Sequence, residues 1–156
     1  MRKAAFHLAF LVAAAGSFAH AAEPVWPRLT ERLKTLLSSE MQQISDAMGP
    51  LTTAIATGDH DMAQHLGIAI RDSFILKKSL TPQDKQDLLG AVPAEFVEID
   101  REFHRLANKL AGAAAKKDSE LQEVYLSKMV ASCIACHRQF AQDVFPGFAD
   151  SESTVD

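Results

Sequence analysis

The 156-residue chain contains two cysteines, and they stand three positions apart in Ser132-Cys133-Ile134-Ala135-Cys136-His137-Arg138-Gln139-Phe140, with a histidine directly behind the second. Cys-x-x-Cys-His is the attachment pattern of a c-type haem. Two thiols at this spacing reach the two vinyl groups along one edge of the macrocycle and form thioether links. The next residue, His137, is then carried under the iron as its proximal ligand. The expected cofactor is one covalently bound haem c, held by Cys133 and Cys136.

Other chemistries of paired thiols fit the chain less well. A thioredoxin-like redox pair opens a helix after a strand, in a βαβ setting that this sequence lacks. A disulfide across two intervening residues closes too small a loop to staple a domain. A structural zinc site needs further ligands, and only histidines such as His60, His65 or His104 are available to supply them. Each of these three histidines reads first as a surface or partly buried side chain, although a bis-histidine haem using one of them stays open.

The rest of the chain must hold this motif. Arg2 and Lys3 precede an apolar run from Ala4 to about Ala15, and Ala19-His20-Ala21 supplies a small-residue cleavage pattern. Residues 1–21 are expected to be a secretory signal peptide, cleaved after Ala21, which implies a periplasmic protein. The run is shorter than the roughly 20 apolar residues a bilayer crossing needs, so no stable membrane insertion is expected after cleavage. Removal of Arg2 and Lys3 leaves 14 basic against 20 acidic groups, a balance of about −6. That acidity gives no footing for nucleic acid, and it offers a docking face to a basic redox partner, since complementary charge mainly speeds encounter.

The remaining residues are rich in helix formers and show no sustained period-two alternation. An all-α antiparallel four-helix bundle over residues 22–148 is the expected fold, with a disordered acidic tail at 149–156. The first helix is predicted from about Pro27 to Thr57, with an inward stripe of Leu33, Leu37, Met41, Ile44, Met48, Leu51 and Ile55, kinked or interrupted at Gly49-Pro50. A second, capped by Asp59, carries Met62, Leu66, Ile70, Phe74 and Leu76 inward and runs to about Leu80. Thr81-Pro82 opens a short extra helix in the connection, closed by Gly90. Pro93 leads into a third long helix with Phe96, Ile99, Phe103, Leu106 and Leu110 inward. The last begins with a capping box, Ser119 with Gln122, and carries Tyr125, Met129, Cys133 and Phe140.

A bundle with its single Cys-x-x-Cys-His, Cys133 to His137, on the last helix resembles the class II c-type cytochromes, the cytochrome c′ family. Phe140 stands where that family usually has an aromatic residue. Ala141 departs from the basic residue that usually follows, and Arg138 is the nearest substitute for a haem-propionate contact. In this family the residue on the distal face of the iron comes from the first helix. Counting back from Gly58 places Met41 there, which implies a six-coordinate, low-spin iron suited to electron transfer. Counting from Met48-Gly49-Pro50 favours Leu37, which implies a five-coordinate iron open to nitric oxide or carbon monoxide. Met129 lies on the proximal side, two turns before His137 on the same helix, and is excluded as a distal ligand. The resemblance also implies pairing through the first two helices, so a homodimer is an expectation. No carboxylate pair or general base stands out beside the motif, and the chain is not read as an enzyme.

Overall fold

A computed structural model describes residues 23–73 and 78–148. The expected signal peptide and acidic tail, and Phe74 and Leu76 of the expected second stripe, lie outside the described residues. Those described form an all-helical bundle. Its main elements are α1 (Glu31–Thr57), α2 (His60–Asp72), α3 (Pro82–Ala91), α4 (Ala94–Ala115) and α5 (Ser119–Phe140). No helix among them is long and apolar enough to cross a membrane.

The helix ends follow from local chemistry. Thr30 caps α1 by accepting from the Leu33 N–H, and Gly58 ends it in a left-handed conformation, φ 71°, that a Cβ would strain. Asp59 caps α2 through the Met62 N–H. Thr81 and Asp84 form a reciprocal capping box on α3, with Pro82 in the first turn. Asp84 also receives both Nε contacts of Arg32, at 2.9 and 3.1 Å, which ties α3 to α1.

Three local expectations are corrected. Of the kink or interruption expected at Gly49-Pro50, the interruption is absent, and α1 continues through both residues as one helix. Pro50 and Asp46, whose carbonyl the proline cannot serve, are both exposed, so the missing donor falls on the solvent face of the helix. The cap of α5 is Asp118, which accepts from the Leu121 N–H, one residue before the expected Ser119. Gln122 instead turns inward, where its amide Nε2 meets the Asp118 carbonyl and His60 Nδ1, each at 3.0 Å.

Packing then sets the faces. α4 lies between α2 and α5 and packs extensively on both, while α1 rests chiefly on α2. The approach of α2 to α4 depends on Gly67, where a Cβ would stand 3.1 Å from the Ala111 Cβ and 3.2 Å from the Ala107 carbonyl oxygen. This close seam turns Ala63, Gly67 and Ile70 inward and leaves Met62 exposed, one residue off the expected stripe. Two apolar clusters result. One gathers Ile44, Leu51, Ile70, Phe103, Leu106, Leu110 and Met129; the other gathers Val25, Leu29, Leu33, Val92 and Phe140.

Candidate functional site

Helix α5 presents Cys133 and Cys136 one turn apart, both half-buried and both free thiols. Cys133 packs against the first apolar cluster and Cys136 against the second, so the pair spans the seam between them. Burial raises the Cys133 thiol above its ordinary value. It pushes Cys136 up to about 12, with the charge of Asp100 and the neighbouring Cys133 adding to the effect. Both groups are therefore neutral thiols, lodged where an apolar ring edge can meet them.

His137 is half-buried, and burial lowers its pKa below the ordinary histidine value. Its ring is stacked on Phe145, with centroids 4.2 Å apart and planes inclined by 20°. A neutral imidazole held by a flat neighbour is the form that ligates a metal ion. Phe140 is buried, edge-on to Phe96 at 5.5 Å, and its carbonyl accepts from the Val25 N–H, which ties the segment before α1 to the end of α5. The Arg138 guanidinium lies over the Phe148 ring.

These residues pass the chemical test for a haem c: two uncharged thiols on one helix face against apolar surface, followed by a neutral, partly buried imidazole. Met129 is fully buried in the first apolar cluster, two turns before His137 on α5. His65 is exposed, and His60 is half-buried beside Gln122.

The first helix is arranged differently from the apolar stripe read in the sequence. Met41 is 38% exposed, whereas its neighbour Glu40 is 0% exposed. The buried face of α1 runs through Leu33, Glu40, Ile44, Leu51 and Ala54. Leu37, half-buried, packs on the cluster that also holds Cys136.

Glu40 meets two groups of α4. Its Oε1 is 3.4 Å from His104 Nε2, and Asp100 Oδ1 is 3.7 Å from the same nitrogen. His104 is buried, and its Nδ1 lies 3.0 Å from the Ile70 carbonyl oxygen of α2. Burial raises Asp100 to about 6, with the charge of His104 opposing and that of Glu40 assisting. For His104 burial works downward, but the close approach of Glu40 and the two carboxylate charges outweigh it and the pKa is raised. Neither carboxylate stands out in the sequence, and His104 reads there first as a surface or partly buried side chain, with ligation of zinc or haem left open. Two signals were present. Glu40 keeps the three-and-four spacing of Leu33, Leu37 and Ile44, and Asp100 and His104 stand four apart on one helix face.

In comparisons with known proteins no family model matches the chain, and neither a curated protein nor a solved structure does. Its function is therefore argued from its own residues.

Proposed function

We propose that this chain is an exported, periplasmic monohaem c-type cytochrome that carries electrons, with Cys133 and Cys136 as covalent attachment points and His137 and Met41 as axial ligands. The observation that carries the reading is the placement of the Cys133–His137 run: both thiols neutral against apolar clusters, and the imidazole neutral and stacked on Phe145. When bound, the haem supplies an iron that takes up and releases one electron.

The chain's own residues supply the rest. Cys133 and Cys136 would tether the cofactor to α5 and prevent its loss after export. His137 donates its neutral ring nitrogen, and Phe145 limits rotation of the imidazole. Met41 brings a flexible thioether on α1, one residue from the interior. The acidic exterior favours encounter with a basic redox partner.

A second reading, a five-coordinate haem protein that binds nitric oxide or carbon monoxide, draws support from Leu37. That side chain shares a cluster with Cys136, while Met41 is more than one-third exposed. Leucine offers no lone pair to iron, so an apolar residue in the distal place leaves room for a small gas.

The test is the absorption spectrum of protein expressed with a haem-maturation system. A Soret band that survives acid–acetone extraction and disappears in Cys133→Ser/Cys136→Ser is expected. Its absence from the native chain would sink the haem reading. A low-spin spectrum that becomes high-spin in Met41→Ala supports electron transfer, and a high-spin spectrum in the native protein selects gas binding.

A further inference from the structure

A cluster of three potential ligand side chains lies in the bundle on helices other than that of the cysteine motif. We propose that Glu40, Asp100 and His104 form a site for one divalent first-row transition ion, of the zinc, manganese or ferrous type. One ligand atom from each of the three residues can be chosen so that all lie within 4.8 Å of one another. The 3.4 Å between Glu40 Oε1 and His104 Nε2 is close to the edge of a tetrahedron with metal–ligand bonds of about 2.0–2.1 Å, which is about 3.3–3.4 Å. The 3.7 Å to Asp100 Oδ1 closes to that value with a small side-chain movement.

The histidine is oriented for the purpose. A carbonyl oxygen only accepts, so the 3.0 Å contact with Ile70 places a proton on Nδ1 and turns Nε2 towards the two carboxylates. This is the outer hydrogen bond by which metal-ligating histidines are commonly held.

The independent observation is Glu40 itself. Its side chain is fully buried, and neither carboxylate oxygen has a hydrogen-bond partner. A carboxylate placed so is expensive unless something compensates it. With His104 neutral, Glu40 and Asp100 together carry two negative charges, which one divalent ion cancels. Two carboxylate oxygens and one imidazole nitrogen suit borderline transition ions better than calcium, which takes six to eight oxygens. Three protein ligands leave a fourth position for water. The ligands come from α1 and α4, and α5 with its thiols supplies none of them.

The competing arrangement is a proton in place of the ion, with His104 as an imidazolium between the two carboxylates. Isothermal titration of the chelator-stripped protein, carrying its haem, with zinc chloride distinguishes the two. One equivalent is expected to bind, with affinity falling at least tenfold in Glu40→Gln and in Asp100→Asn. Zinc-edge X-ray absorption on the native protein is expected to show only oxygen and nitrogen neighbours near 2.0–2.1 Å. That measurement needs no variant, so a folding defect in either substitution leaves it intact. It reads the same ligand set whether or not haem is attached. Absence of stoichiometric binding, a sulfur shell near 2.3 Å, or unchanged affinity in both variants overturns the proposal.

Discussion

His104 on α4 faces Glu40 on α1 across 3.4 Å in the interior of the bundle, with Glu40 wholly removed from solvent. The pair joins a helix that opens the bundle to one near its end, and its stability consequences are asymmetric. Deleting one partner leaves the other's charge buried and uncompensated, whereas deleting both removes the problem.

With chelator present, His104→Leu is expected to cost about 3 kcal/mol, and Glu40→Leu/His104→Leu is expected to recover a substantial part of that loss. Urea midpoints of the two single variants and the double variant provide the cycle. Additive losses would show that the pair is not energetically coupled.

Stability of the chelated protein is expected to carry a contribution from Asp100 that falls as pH rises. An aspartate at about 6 in the folded chain binds its proton more tightly there than when unfolded, at about 3.9. Its contribution is present below the unfolded value and is lost as pH climbs through the folded one. The raised value of His104 has the same sign, and its contribution disappears at pH above its folded pKa. Asparagine mimics the protonated carboxyl, so Asp100→Asn should match the native protein near pH 4 and exceed it near pH 7. Unfolding curves at the two pH values check this, and a gap of constant size would refute it.

Haem-free protein should react slowly with thiol reagents. With Cys136 pushed up to about 12 and Cys133 also raised, little nucleophilic thiolate exists at neutral pH. Alkylation by iodoacetamide at pH 7.5 is expected to run at least tenfold slower in the folded chain than in urea. It should accelerate at Cys136 in Asp100→Asn, because a negative neighbour has gone. Equal rates in folded and unfolded protein would contradict the burial of these thiols.

The α2–α4 seam should tolerate no side chain beyond Cβ at position 67. Gly67→Val places branched atoms against the Ala107 carbonyl and the Ala111 methyl, contacts that a Cβ alone already makes tight. Overpacking of this kind costs about 1–3 kcal/mol. Differential scanning calorimetry should show a lower Tm, and an unchanged Tm would mean that the helices separate freely.

Residue order by itself determined the helices and their caps at Thr81 and Asp59, and it contains the Cys133–His137 run on which the proposed haem attachment rests. Those features rest on covalent spacing and on interactions within a few residues, which a linear text contains. Faces are decided by packing, and there the reading slipped by one residue. Hydrophobicity selects Met41 and Met62 for the interior. The close α2–α4 contact at Gly67 turns Ala63 inward instead, and α1 presents Glu40 to Asp100 and His104. A glutamate is assigned to solvent unless its partners are known, and these two lie on another helix. Only the tertiary structure brings the three together, because a buried charge is tolerable when compensation arrives from a distant part of the chain.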